Sequence, residues 1–123
     1  MSGCRGEIES DDAVPRLFVW CLEAEIPETV EYIEHGIEEE AVSWAVDGGH
    51  DGDAIAVAHE AATNSALNIG VSVTADARVV VHHAQLSADE PVFDSAEVTA
   101  QTARKLGANS ARLAKGTPLK PIG

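Results

Sequence analysis

The stretch from Arg16 to Leu22 is a continuous apolar run, the pattern of a strand buried on both faces in a parallel sheet. Pro27 then opens a helix near residues 28–40. Val30, Ile33 and Ile37 recur along it at helical spacing and define one narrow buried face. Residues 41–46 (Ala-Val-Ser-Trp-Ala-Val) predict a second strand. Residues 47–52 are crowded with Gly and Asp and predict a loop, after which Asp53 is placed to cap an alanine-rich helix over 53–65. A third strand spans 67–73. Gly70 inside it signals close approach of another backbone. Residues 74–77 are turn-like and 78–83 form a fourth strand, so the two strands make an antiparallel hairpin. A short fifth strand falls at Val92-Phe93.

The last helix, about 95–115, carries the clearest pattern. Ala103, Leu106, Gly107, Ser110, Leu113 and Ala114 lie on one arc of small and apolar residues, with Arg104, Lys105, Arg112 and Lys115 on the opposing arc. Gly116 stops the helix and Pro118 prevents its continuation. This element order implies an α/β fold, a three-layer sandwich around a mixed, mainly parallel sheet of about five strands. Residues 1–14 lack periodicity and read as a disordered acidic leader, and residues 15–120 as a single domain.

Charge is segregated along this frame. Residues 1–97 hold three basic and all 21 acidic residues, a net charge of −18, whereas residues 98–123 carry +5. The whole chain stands at −13, which disfavours nucleic acid and anionic membrane surfaces as partners. A basic helix on an anionic body suggests docking against another macromolecule. Few lysines and many carboxylates also fit adaptation to concentrated salt. Hydrophobic residues make up 45% of the chain but aromatic residues only 4%, so the core is modest, of a kind often completed by a partner subunit. Cys4 and Cys21 make no disulfide framework, and Cys21 reads as a small buried hydrophobe. No signal peptide or membrane-length apolar run is visible, so the expected location is cytoplasmic.

Catalytic chemistry finds little support. The loop at 47–52 lacks the Lys-Ser/Thr of a phosphate loop, and no G-x-G-x-x-G follows the first strand. No nucleophile elbow or acid/base dyad is apparent. His82 and His83 are adjacent on a strand and point to opposite faces, so one is inward and hydrogen-bonded and the other outward. Glu38-Glu39-Glu40 is the unusual feature. These carboxylates end a helix at its negative pole, where each costs about 0.3–1 kcal/mol at low salt. They need a compensating cation, a partner's basic group or heavy screening. A solvated edge satisfies the physics most simply, and one of them would also suit Mg²⁺, with other ligands from elsewhere.

Four motifs in order add to this. Gly36-Ile37-Glu38-Glu39-Glu40 ends the first helix, Leu67-Asn68-Ile69-Gly70-Val71 and Val79-Val80-Val81-His82 follow, and residues 107–118 (Gly-Ala-Asn-Ser-Ala-Arg-Leu-Ala-Lys-Gly-Thr-Pro) close the last helix. Together they resemble the small subunit of the diol/glycerol dehydratase-reactivating factor over about residues 15–120. The resemblance implies an anticodon-binding-domain-like sandwich. It also implies a non-catalytic role in a chaperone-like complex that frees damaged cobalamin from inactivated dehydratase by ATP-dependent subunit swapping. ATP or ADP belongs to a large subunit, in an expected α2β2 assembly, and this chain alone binds no cofactor. The resemblance makes Glu39 a ligand to Mg²⁺ shared with that large subunit. Glu38, Glu40, Arg104, Lys105, Arg112 and Lys115 become candidate contacts with it or with dehydratase subunits. The alternatives are the dehydratase medium subunit itself and a stand-alone α/β ligand-binding domain. The medium subunit normally continues well beyond the last helix, and Leu113 and Lys115 look more like the reactivase version. Glu34-His35, where family members tend to be apolar, departs from the pattern.

Overall fold

The computed structural model describes residues 14–122, so the predicted leader lies outside the described residues apart from Val14. Strand β1 (Leu17–Cys21) is followed by α1 (Thr29–Glu39), β2 (Trp44–Asp47), α2 (Ala54–Asn64), the hairpin β3 (Ile69–Val73) and β4 (Val79–His83), the short β5 (Phe93–Ser95) and α3 (Ala100–Lys115). The strands form one sheet in the order β2-β1-β3-β4-β5. β1 pairs in parallel with both β2 and β3, while β4 is antiparallel to β3 and β5. Four of the five strands therefore run the same way, the mixed, mainly parallel sheet that the element order implies.

Alternation along the strands builds the layers. Leu17, Val19 and Cys21 of β1, Ile69, Val71 and Val73 of β3, and Val79 and Val81 of β4 face α1 and α3 and share one core with Val30, Ile33, Ile37 and Leu106. The opposite face is covered by α2, which sits so close to β3 that a Cβ at Gly70 would stand 2.3 Å from the Ala62 nitrogen and 2.4 Å from the Ala58 carbonyl oxygen. That is the backbone approach the glycine predicts, and Ala54, Ala58, Ala61 and Ala62 are the small residues that permit it. The strands buried on both faces are β3 and, up to His82, β4, not β1. Outward-facing Phe18 and Trp20 are only half-buried, because α2 lies over the centre of the sheet and leaves the β1–β2 flank partly open.

Boundaries shift where the backbone turns left-handed. Ala41 (φ 60°) delays β2 from the predicted residue 41 to Trp44, and Asn68 (φ 64°) delays β3 from 67 to Ile69. α3 starts at Ala100 instead of about 95. β5 runs to Ser95, Glu97 adopts φ 49°, and the Thr99 hydroxyl accepts from the Thr102 N–H at 3.2 Å as the cap. α2 begins as expected, with the Asp53 carboxylate accepting from the Ile55 and Ala56 N–H groups. Among the described residues, no helix is long and apolar enough to cross a membrane.

Candidate functional site

The site is the C-terminal edge of α1, and its geometry starts from two glycines. A Cβ on Gly36 would stand 2.0 Å from the Arg104 carbonyl oxygen, and one on Gly107 would stand 2.1 Å from that of Ile33. With no side chain at either position, α1 and α3 pack backbone to backbone. That approach brings basic residues of α3 onto the last turn of α1, which has none of its own.

Two of the three carboxylates, Glu39 and Glu40, are therefore compensated within the chain, and only Glu38 is left at a solvated edge. Glu39 forms an ion pair with Arg104, the two side chains being 34% and 58% exposed. Glu40 is only 12% exposed. The Lys115 ammonium donates to its Oε1 at 3.0 Å and to its backbone carbonyl at 2.9 Å. The second bond supplies a partner to one of the carbonyls that every helix end leaves over. Arg112 Nε lies 3.1 Å from Glu40 Oε2 but is not aligned for a hydrogen bond, so it is a buried donor held by charge alone. The Lys115 hydrogen bond, against some desolvation and together with Arg112, holds the Glu40 carboxyl below its ordinary range. Glu38 is exposed and makes no ion pair among the described residues.

The basic arc of α3 is correspondingly not a free surface. Arg104, Arg112 and Lys115 turn toward α1, and Arg112 Nη1 also donates to the Pro118 carbonyl at 3.0 Å. Lys105 is half-buried and makes no ion pair among the described residues. The inward arc is wider than predicted, taking in Ala108, Asn109 and Ala111, whereas Leu113 and Ala114 are only half-buried. Ala108 lies under Gly36, and Asn109 is covered by the chain after the helix. Both ends of its amide are spent on the backbone of one residue, with Nδ2 donating to the Lys120 carbonyl at 2.9 Å and Oδ1 accepting from the Lys120 N–H at 2.6 Å. Sequence reasoning missed this clamp. The signal was an Asn among small residues, on a helix whose following segment had to lie somewhere.

Elsewhere, Glu34 accepts from the Trp44 indole N–H at 2.9 Å, which explains a carboxylate where the resembling family tends to be apolar. His82 is fully buried and His83 half-buried, as alternation requires. With its proton on Nε2, His82 donates to the Ala88 carbonyl at 3.1 Å and accepts the His83 N–H on Nδ1 at 3.0 Å. His50 stacks on Trp20 (centroids 4.0 Å apart) and bonds to Asp47 at 2.9 Å. Burial pushes the Cys21 thiol up to about 12, with Asp47 and Glu34 adding to it, so it is inert at neutral pH. Among the described residues, no three His, Cys, Asp or Glu side chains converge as a metal site. Mg²⁺ demands an octahedral shell of oxygens. The edge can offer Glu39, only one of whose oxygens faces Arg104, and exposed Glu38 beside it. The donor set fits a shared cation, not a self-contained one.

Fold and edge together define a small α/β subunit of the dehydratase medium-subunit class: residues 15–120 match the family described as dehydratase medium subunit. Among curated relatives, the propanediol dehydratase-reactivating factor small subunit of Salmonella typhimurium is 34% identical over 88 residues, covering 71% of this chain and 75% of that protein. The diol dehydratase-reactivating factor small subunit of Klebsiella michiganensis is 33% identical over 88 residues, covering 71% and 70%. Among solved structures, a diol dehydratase-reactivating factor complexed with ADP and Mg²⁺ superposes with a TM-score of 0.81 at 27% identity, over 89% of this chain and 100% of that one. A glycerol dehydratase reactivase gives 0.75 at 29% identity, over 87% and 97%. The chain belongs to the family of dehydratase-reactivating factor small subunits.

Proposed function

We propose that this chain is the non-catalytic small subunit of a reactivase that frees damaged cobalamin from inactivated diol or glycerol dehydratase. Its partner is a large subunit that binds and hydrolyses ATP. The small subunit leaves that partner, a dehydratase subunit of the same fold takes its place, and the loosened dehydratase releases the dead cofactor. Physically this is competition between two chains of one fold for overlapping surfaces, biased by the nucleotide state of the large subunit. Glu39 supplies one carboxylate to a Mg²⁺ ion whose remaining ligands come from the large subunit, and Glu38 lies at the same contact. Glu40, Arg112 and Lys115 hold the edge in place, and Lys105 is the basic residue of α3 left for the partner.

The observation that carries this reading is the likeness over the whole length of a chain from a reactivating factor that was complexed with ADP and Mg²⁺. The intrachain compensation of the carboxylate edge adds to it, since a subunit that comes and goes must tolerate its own exposed charge. The test is reactivation of glycerol-inactivated dehydratase by purified large subunit, with ATP, Mg²⁺ and fresh adenosylcobalamin. Activity should recover only when this chain is also present. Failure to recover activity, together with no complex with the large subunit on gel filtration in ADP and Mg²⁺, would overturn the proposal.

A further inference from the structure

We infer that Arg104 is a built-in surrogate for the cation at the Glu39 edge, its guanidinium competing with a divalent ion for that carboxylate. The inference rests on the shared-cation reading above, and its test separates the two.

Glu39 and Glu40 are neighbours but are held differently. Glu40 is 12% exposed and gripped by Lys115 through both its side chain and its carbonyl, with Arg112 alongside. It is a fixed structural pair. Glu39 has one partner, Arg104, and both side chains are substantially exposed. Arg104 makes no other side-chain hydrogen bond or ion pair among the described residues. Its backbone is pinned, because its carbonyl lies against Gly36, so exchange needs only a side-chain swing, with no movement of the helix. A guanidinium on one Glu39 oxygen draws down the charge the other oxygen can offer and repels a divalent ion, so the two compete for the carboxylate. The apparent affinity for the ion is therefore reduced by the fraction of time the pair is closed. The free subunit keeps its edge neutral without a metal and gives it up only where a partner supplies the rest of the shell.

The experiment titrates Mg²⁺ into this chain mixed with the large subunit and follows assembly by gel filtration. Four proteins are compared: wild type, Arg104→Gln, Glu39→Gln, and Lys120→Gln as a charge control whose side chain makes no ion pair among the described residues. Removing an exposed competing pair should lower the half-saturating Mg²⁺ concentration by about two- to fivefold in R104Q. K120Q, which removes one positive charge and no ion pair among the described residues, should stay within about 1.5-fold of wild type, since a charge without direct contact to the carboxylate is largely screened by salt. E39Q should abolish the Mg²⁺ dependence. Structural damage from R104Q would raise the Mg²⁺ requirement, the opposite sign. An unchanged or raised midpoint in R104Q, with E39Q behaving as expected, overturns the surrogate role alone. Mg²⁺ dependence that survives in E39Q, or its absence in wild type, overturns the shared-cation reading and the surrogate role with it.

Discussion

Replacing Gly36 by Ala tests the packing on which the whole edge depends. An added Cβ would stand 2.0 Å from the Arg104 carbonyl oxygen, 2.7 Å from the Ala108 nitrogen and 3.0 Å from the Arg104 carbonyl carbon. Unstrained carbon contacts need about 3.5 Å, so α1 and α3 must part by more than 1 Å. The obstructing atoms are helical backbone and cannot rotate away as a side-chain tip could. Overpacking of this kind costs about 1–3 kcal/mol, and the rigid neighbours put this site at the upper end. Alanine returns about 0.8–1 kcal/mol of helix propensity. The net loss is about 2 kcal/mol, a sizeable part of a domain's usual 5–15 kcal/mol. For a domain this size, that is a fall of roughly 6–12 °C in Tm. The assay is urea denaturation of wild type and G36A followed by far-UV circular dichroism and tryptophan fluorescence. Gly116→Ala is the contrast. That glycine has φ +75° and no atom within 4 Å of a built Cβ, so it should lose only the left-handed penalty of about 1 kcal/mol. A G36A protein as stable as wild type would refute the close helix crossing, and with it the reason Arg104 and Lys115 reach α1.

Three further outcomes follow from the same contacts. Asn109→Ala removes both hydrogen bonds to the Lys120 backbone, so it should cost about 1–3 kcal/mol and hasten proteolysis after residue 116, read by limited digestion and mass spectrometry. The Glu40 carboxyl is held below its ordinary value of 4.5, so the stability it contributes is present above that pH and is lost as the pH falls through the lowered value. Glu40→Gln should therefore flatten the acid limb of the stability curve below about pH 4.5, leaving the part due to Asp94, which Arg78 lowers in the same sense. With a net charge of −13 and much of it outside any ion pair, Tm should rise with added KCl; a flat response from about 0.1 to 1 M would rule out self-repulsion as a significant cost.

All eight elements were legible in the sequence because their apolar positions keep the period of strand or helix. What periodicity could not place were their ends. Ala41 and Glu97 take positive φ although neither is a residue that favours it, so the turns they make carry no compositional mark; Asn68, a residue that tolerates this region, carried a weak one. Nor could it rank the strands. β1 is a more hydrophobic run than β3, but β3 and most of β4 are sealed on both faces, and where α2 sits decides that. At the site, the three glutamates and the basic residues of α3 were all visible as anomalies, each assigned to solvent or to another molecule. Their true partners lie 65 and 75 residues apart in the chain, beyond the reach of any local pattern. Only the two glycines hinted at it, since a glycine at the buried centre of each helix invites the other to approach.

This changes what the charge segregation means. A basic C-terminal segment on an acidic body suggests a docking surface when read along the chain. In the fold, three of its five cations are consumed by Glu39 and Glu40 and serve to hold two helices together. Their pairing with carboxylates neutralises them where they stand, and the outside is more uniformly acidic than the sequence suggests, with Glu38 and Glu31 exposed along α1. A partner approaching that face must bring basic side chains or a bound cation. In the proposed assembly a single divalent ion at Glu39 would meet the requirement with the least surface, because it would act only where both chains contribute oxygens. On that reading the contact would also be reversible, since Arg104 already pairs with the carboxylate that the partner's ligands would leave behind.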